Sequence, residues 1–371
     1  MNFKLKILFS VLMITAFIFG FIHIYFPLIN YSFERIHIFL YNLCTGGTIL
    51  LYYTQRRTEV SKIVVLFFFG SLVYALSAFL KIYPVTIIIS VFLFILVEKI
   101  RIEKFSLLPL GFFKPKESVS QKFHQASLLC LSIGIIMASL VILNNEYLKI
   151  VTIEKLTLDI FFLGFSFPLS LITLSLVFAQ LEGVEGTSAK MVMETCFWTI
   201  TLGVISFFVF ILAEKYLPQI YITAALFTAV YTVFLLYTKL AKKIQQKLFL
   251  TSGIGFLILT AITGIIYIYF QMSDGYDHQK TKWLLHIHVF ASLYGWNLCG
   301  LSIICRFDDF PIKMHSLTVI TAHWLTAVVL APLGIFYGFF AVLAVAGYAY
   351  IILTLFFSSH KDIIKDGQLK Q

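Results

Sequence analysis

Long apolar runs recur along almost the entire chain, and they constrain its fold more than any other feature. A transmembrane helix needs roughly 20 apolar residues, and runs of about that length follow one another with short charged or proline-containing breaks. Hydrophobic residues make up 60% of the 371 and charged residues 12%, whereas a soluble domain carries about 25% charged residues. This pattern excludes a water-soluble enzyme and predicts an all-α bundle of transmembrane helices.

Twelve runs are delimited by charges, prolines or polar clusters, and they place the whole chain, 1–371, in one integral membrane domain. The first run is longer than the apolar core of about 7–15 residues in a signal peptide, and no A-x-A site follows it, so we interpret it as a transmembrane helix. The predicted spans are 7–27, 33–53, 63–81, 84–98, 125–144, 157–180, 192–213, 217–237, 250–270, 283–305, 316–336 and 339–358.

The distribution of positive charge predicts the orientation. With the N-terminus in the cytoplasm, 21 of the 28 lysines and arginines fall on inside segments and 7 on outside segments. Because cytoplasmic loops collect Lys and Arg, we expect both termini to be cytoplasmic and the protein to lie in the cell inner (cytoplasmic) membrane. The net charge of +10 then needs no nucleic-acid partner. The basic segment 99–122 has an alternative interpretation, binding of anionic lipid headgroups.

Few motifs point to chemistry outside the membrane. The chain has no Walker-type phosphate loop, no H-E-x-x-H and no G-x-S-x-G, and its cysteines form no C-x-x-C pair. The five cysteines all lie within or at the ends of apolar runs: Cys44, Cys130, Cys196, Cys299 and Cys305. We therefore expect the function to reside inside the bilayer.

Three histidines lie at matched positions in two of the predicted spans. His37 is about one turn into the second span, and His286 and His288 are about one turn into the tenth. Both spans run from outside to inside in the predicted topology, so the three imidazoles lie at a similar depth. An ionisable residue in a membrane span is a functional hypothesis by default, and neutral imidazole is a usual axial ligand of haem iron. The alternative is that these histidines hydrogen-bond neighbouring helices.

The spacing of His286 and His288 indicates two separate ligands. Residues two apart on an α-helix point about 200° apart, so these rings cannot clasp one metal ion. In the second span, Gly46 and Gly47 are expected to allow close approach of a neighbour. Small residues continue the face of His288, namely Ser292, Gly295, Cys299 and Ser302; a polar and aromatic stripe continues that of His37, namely Tyr41, Thr45, Thr48 and Tyr52.

The remaining histidines are single residues without a matching partner. His23, His315 and His323 lie within or at the ends of spans, and we expect His23 and His323 to be structural. His124, His278 and His360 fall in predicted loops or tails, where we expect them to be solvated.

Two local motifs resemble a known family. The run R-I-H-I-F-L-Y-N-L-C-T-G-G, 35–47, and the run H-I-H-V-F-A-S-L-Y-G-W, 286–296, are similar to haem-ligand segments of haem-copper oxidase subunit I. The nearest branches are the cb-type oxidases and nitric oxide reductases, together with NnrS-like membrane proteins. The resemblance implies that His37 and His288 are axial ligands of a low-spin haem b. It also implies that His286 is the proximal ligand of a second, high-spin haem.

The sequence departs from that family at the second metal. The family's copper or non-haem iron site needs histidines in the sixth span and near the seventh, but this chain has none between His124 and His278. We therefore expect no copper, and no full reduction of oxygen or nitric oxide, which both need a metal beside the haem. The space opposite His286 is expected to be apolar, lined by Phe161, Phe165 and Phe167.

These observations predict a b-type haem membrane protein that transfers electrons or binds a diatomic gas, O2 or NO, in respiration or in a nitric oxide response. The resemblance implies a c-type cytochrome or another respiratory subunit as a partner, besides membrane lipid. A membrane transporter, or a cofactor-free scaffold or assembly partner of a respiratory oxidase, is the alternative. Whether the chain is an enzyme stays open at this point.

Overall fold

In the computed structural model, helices are the regular secondary structure of the described residues, and no β-strand occurs among them. Apart from a short 3-10 turn, Leu110–Phe113, these residues form twelve helical runs, in the order in which the apolar runs occur in the sequence. The described residues are 1, 3–26, 31–56, 59–151, 164–183, 187–273, 276–310, 312, 314 and 316–359.

Eight of the twelve helices are continuous α-helices or nearly so. They are α1 (Phe3–Tyr25), α3 (Lys62–Phe79), α4 (Tyr83–Lys104), α5 (Val119–Leu143, continued by a π-helical turn Asn144–Leu148), α7 (Thr187–Leu212), α8 (Tyr216–Leu240), α9 (Gln246–Gln271) and α12 (Gly338–Phe357).

The other four helices contain wider, π-helical stretches. Helix α2 is α-helical over Phe33–Ile38 and Thr48–Gln55 and π-helical over Phe39–Gly47; α6 is described over Gly164–Ala179, with the α-helical part Phe167–Ala179. Helix α10 joins His278–Phe290 and Leu298–Cys305 through the π-helical Ala291–Asn297, and α11 joins Leu317–Trp324 and Ala331–Leu333 through Leu325–Leu330.

The observed bounds correct some predicted ones. The fourth span, predicted as 84–98, is the 22-residue helix α4, which at about 1.5 Å per residue is long enough to cross a bilayer. The fifth begins at Val119 rather than at residue 125. The predicted stretch 157–163 of the sixth span lies outside the described residues.

Within the described ranges, eight helices are long and apolar enough to cross a membrane: α1, α3, α5, α7, α8, α9, α10 and α12. Large apolar side chains project from the surface along these and the other helices; Ile88, Phe339 and Val342 are each more than two-thirds exposed. A soluble protein rarely exposes extended apolar patches, whereas in a bilayer such side chains contact lipid. The chain is therefore a multi-pass membrane protein of the helical class.

The described chain divides into two compact units. Unit 1 comprises Met1–Glu117, His124–Ile172 and Ile304–Asp308, and unit 2 comprises Ser118–Phe123, Thr173–Ile303 and Asp309–Gln371. Unit 1 thus contains α1 to α4 with most of α5, and unit 2 contains α7 to α9, α11, α12 and most of α10.

Small residues bring the helices of unit 1 into contact. Gly46 of α2 lies against Leu169, and Gly47 lies against Phe67 of α3, which confirms the close approach predicted for this glycine pair. Gly134 of α5 faces Gly164 backbone to backbone. Lipid is as apolar as leucine, so helices in a bilayer associate through such close packing rather than through the hydrophobic effect.

Helix α10 is the most enclosed membrane-length helix in unit 2. Its most apolar stretch is 72% buried, whereas the corresponding stretches of α7 and α8 are each 28% buried. The side chains of α10 therefore contact protein along most of its length, and those of α7 and α8 mostly do not. A buried polar residue on α10 must consequently find its partners among neighbouring helices.

The facing glycines of unit 1 generate a first prediction. A Cβ added at Gly134 would lie 2.6 Å from the carbonyl oxygen of Gly164, and backbone cannot move aside as a flexible side chain can. We expect Gly134→Ala to lower the free energy of unfolding by about 1–3 kcal/mol, the usual cost of overpacking. Unfolding of the purified protein in mixed micelles measures it.

Gly338→Ala is the matched control. No atom lies within 4 Å of a Cβ at Gly338, at the start of α12, so we expect a change within about 0.5 kcal/mol. Equal losses in the two variants would contradict the packing that we assign to Gly134.

Candidate functional site

His288 of α10 is held by one of its two ring nitrogens. Its Nδ1 lies 2.9 Å from the backbone oxygen of Thr260 on α9, and the hydroxyl of Thr263 lies 3.4 Å from the same nitrogen. Gly264, one turn further along α9, leaves room for the ring: a Cβ there would lie 3.3 Å from the ring carbon Cε1. Helix α9 therefore both positions this imidazole and makes space for it.

This hydrogen bond fixes the tautomer of His288. A carbonyl oxygen can only accept, so Nδ1 carries the hydrogen and Nε2 carries the lone pair. The structure records hydrogen bonds of this ring at Nδ1 only. A metal-bound histidine commonly has this arrangement, in which one nitrogen donates to a carbonyl and the other binds the metal.

His37 lies in the first turns of α2 and is buried in unit 1. Gly20 of α1 packs against its ring: a Cβ added at Gly20 would lie 4.0 Å from the ring carbons Cγ and Cδ2 of His37. The Nδ1 atom is enclosed and makes no hydrogen bond among the described residues. The backbone of Glu34, one turn earlier, lies beside the ring. Such an enclosed nitrogen is costly unless a ligand or a water satisfies it.

His323 of α11 is fully buried, at 0% exposure. Its Nε2 donates to the backbone oxygen of Tyr294 on α10 over 2.6 Å, and the ring of Phe256 covers it at a centroid distance of 4.7 Å. Its Nδ1 is enclosed and makes no hydrogen bond in the described part of the chain. The bond to α10 is consistent with the structural role predicted for His323. The enclosed lone pair on its Nδ1 was not predicted.

Each of these three histidines precedes a π-helical stretch by two or three residues. His37 is followed by Phe39–Gly47, His288 by Ala291–Asn297 and His323 by Leu325–Leu330. π-Helical turns inside α-helices occur frequently at functional sites, because the wider turn shifts the side chains that follow it. The π-helical turn Asn144–Leu148, in contrast, is preceded by Val141, Ile142 and Leu143.

The small residues that follow His288 pack against α9. Gly295 lies against the ring of Phe256, where a Cβ would be 2.6 Å away, and Cys299 lies against Gly253. Their role in the described structure is thus to let α9 and α10 approach closely. The five cysteines of the chain are all free thiols.

The predicted surroundings of His286 are described only in part. His286 is half-buried on the α-helical part of α10, so its ring points away from that of His288 as expected for residues two apart. Phe165 is fully buried in unit 1, with its ring centroid 5.7 Å from that of Phe39 on α2, and Phe167 is buried as well. Phe161, also predicted there, lies outside the described residues, as do His315 and His360 and the side chain of His278.

His124 is not solvated, contrary to the prediction. Helix α5 begins at Val119, so His124 lies in its second turn and is only 4% exposed. Its Nε2 lies 2.8 Å from the hydroxyl of Thr54, and the ring stacks on Tyr53 and meets the edge of Phe105. The hydroxyl of Thr54 donates to Leu50, so the histidine is the donor in their bond.

Asn42 is a buried polar residue that no motif in the sequence indicated. It lies in the π-helical stretch of α2 and is 1% exposed, and neither its amide nitrogen nor its amide oxygen makes a hydrogen bond among the described residues. Its only signal in the sequence is one amide within an otherwise apolar run.

Neither a cluster of metal-binding side chains nor a similar known protein assigns a function to these residues. Among the described residues, no three His, Cys, Asp or Glu side chains are grouped so as to hold a metal ion. Comparison of the chain with known protein families, with characterised proteins and with solved structures finds no match.

An ion pair joins the start of α5 to α7 within unit 2. Lys122, in the first turn of α5, donates to the carboxylate of Glu194 on α7 over 2.7 Å. The lysine side chain is 3% exposed and the glutamate side chain 32% exposed. Glu194 therefore compensates a buried cation.

The unequal exposure of this pair predicts unequal mutant effects. Glu194→Gln leaves a buried ammonium without a counter-charge. We therefore expect it to lower the free energy of unfolding by an amount near the lower end of the range of about 3–5 kcal/mol for a broken buried pair. Lys122→Met leaves a carboxylate that water reaches, so we expect a smaller loss. Thermal unfolding of the two variants measures the order, and a larger loss for Lys122→Met would contradict it.

Proposed function

We propose that this chain is a haem-binding protein of the cell inner membrane, with twelve spans and both termini in the cytoplasm. In this proposal, imidazole nitrogens hold haem b, and the protein transfers electrons or binds O2 or NO, in respiration or in a nitric oxide response. The excess of lysine and arginine on the inside segments supports the orientation. A c-type cytochrome or another respiratory subunit is the partner that this function would need.

The tautomer of His288 is the observation that carries the proposal. The bond from Nδ1 to Thr260 holds the ring and leaves the lone pair on Nε2, which is the nitrogen an axial ligand needs. A bound haem b would supply an iron that takes up and releases one electron, and that binds a neutral diatomic where one axial position is open. The described residues around His288 therefore fit a ligand to iron.

His37 fits the same role in unit 1 for a different reason. Its Nδ1 is enclosed and makes no hydrogen bond to any described residue, so coordination would satisfy this nitrogen. The sequence resemblance assigns the two histidines to one low-spin haem. His286, on the opposite side of α10 from His288, is proposed as the ligand of a second, high-spin haem.

A cofactor-free scaffold is the second candidate, and one observation favours it. His288 bonds α10 to α9, and His323 bonds α11 to α10, each through a backbone carbonyl. Polar side chains that bond one membrane helix to another are common in bundles without cofactors. A transporter or an assembly partner of a respiratory oxidase would keep these bonds without any haem.

The low-spin haem is tested by removing its two ligands. We expect His37→Ala and His288→Ala each to abolish the low-spin Soret and α-band spectrum of the purified full-length protein, because six-coordinate iron needs both imidazoles. His323→Ala should retain the spectrum, because the sequence resemblance assigns no iron to His323 and we assign it only the bond from α11 to α10. Size-exclusion elution and far-UV circular dichroism of each variant establish that it is folded. A low-spin spectrum in either ligand variant would contradict the assignment, and a wild-type protein without any Soret band would favour the scaffold.

The high-spin haem is tested with carbon monoxide. We expect the reduced protein to bind carbon monoxide at one haem, and His286→Ala to remove that signal while the low-spin bands remain. Metal analysis should find iron without stoichiometric copper, and artificial electron donors should support no appreciable oxygen or nitric oxide turnover. Copper near one per chain, or robust turnover, would overturn the expectation of a site without a second metal.

A further inference from the structure

A cavity of about 330 Å³ lies where α8 ends and α9 begins, and no histidine is among the residues that line it. Two lysines, three neutral polar residues and two apolar residues line it, and no acidic residue does. These are Lys243 and Lys247; Thr238, Gln245 and Thr251; and Ile244 and Leu248.

Hydrogen bonds hold the walls of this cavity in place. The ammonium of Lys247 donates to the backbone oxygens of Thr238 and Ala241 over 2.9 and 3.0 Å. The side-chain amide of Gln245 donates to the backbone oxygen of Ile312 and accepts from its backbone nitrogen. The loop between α8 and α9 is therefore tied both to the end of α8 and to the segment before α11.

The charge of the cavity favours an anion. Four lysines occur within the nine residues from Lys239 to Lys247. Lys243 is exposed and forms no hydrogen bond or ion pair among the described residues. Lys247 uses its ammonium on two carbonyl oxygens, which leaves its charge uncompensated by any carboxylate. A phosphate would find two cations within one cavity. The hydroxyls of Thr238 and Thr251 also line it, but they donate to backbone oxygens of their own helices, so the lysines provide the attraction.

The apolar surface beside the cavity favours a lipid over a free phosphate. Leu248 lines the cavity and is 46% exposed, and Leu240 at the end of α8 is 44% exposed. In the topology proposed above, on which this step rests, the loop lies at the cytoplasmic surface, where anionic headgroups lie. A headgroup in the cavity would let its acyl chain run along these leucines.

We propose that this cavity binds the headgroup of an anionic phospholipid, with Lys243 and Lys247 on the phosphate and Leu248 beside the acyl chain. The site is independent of haem, and it lies apart in sequence from the basic segment 99–122.

Native mass spectrometry of the full chain, titrated with phosphatidylglycerol or phosphatidylcholine, tests the proposal. We expect phosphatidylglycerol to bind more tightly, and Lys243→Gln to weaken it about fivefold, which corresponds to about 1 kcal/mol per lysine at an anionic surface. Lys242→Gln is the matched control: Lys242 is equally charged and exposed but does not line the cavity. Equal weakening by both variants, or equal binding of both lipids, would overturn the proposal.

Two further measurements separate a lipid from a free anion. Leu248→Ser should weaken phosphatidylglycerol, and inorganic phosphate should not displace the lipid at equal concentration, since only the lipid contacts the leucines. If inorganic phosphate displaces the lipid and Leu248→Ser has no effect, the cavity is a phosphate site and the lipid proposal is wrong. Lys247→Gln also removes the two hydrogen bonds to the end of α8. The thermal unfolding temperature of this variant is therefore measured beside its lipid affinity, so that a loss of structure is distinguished from a loss of charge.

Discussion

The shortage of free hydrogen-bond donors inside a bilayer determines which hydrogen bonds the buried histidines can form. Backbone N–H groups are used within their own helices, so a neighbouring helix offers an imidazole only carbonyl oxygens. A neutral imidazole can donate to one of them through a single nitrogen, as His288 does to Thr260 and His323 to Tyr294. The other nitrogen keeps a lone pair that no backbone group can satisfy. A metal, a water or a hydroxyl is then its natural partner, which is why a structural bond and ligation are compatible on one ring.

The same bonds require helices that approach closely. Thr260 reaches His288 because Gly264 on α9 leaves space for the ring, and α10 admits Phe256 because Gly295 has no side chain. Phe256 in turn covers His323. Small residues and imidazoles on α9, α10 and α11 therefore depend on one another. A larger residue at Gly295, for example, would displace Phe256 and so change the packing around His323.

The order of the helices and the glycine pair of α2 could be predicted from sequence, because apolar run length and Gly-Gly are local signals. The burial of His124 could not. The charges near it suggested a loop, but Lys122 lies within α5 because Glu194, 72 residues away, compensates it. The partner of His124, Thr54, is equally remote. The π-helical stretches also escaped prediction, since apolar runs of this kind have no periodicity that distinguishes a wide turn from an α-helical one.

The wide turns of α2 change how its polar stripe is interpreted. Read as an ideal helix, Thr45 and Thr48 continue the face of His37 and are available to a ligand. In the structure, the hydroxyl of Thr45 donates to the backbone oxygen of Leu40, five residues earlier, and that of Thr48 donates to Cys44. These hydroxyls satisfy carbonyls of their own helix, as is common for Ser and Thr in membrane helices. The enclosed Nδ1 of His37 and the amide of Asn42, which make no such bond among the described residues, are therefore the groups on α2 that a bound ligand or water would satisfy.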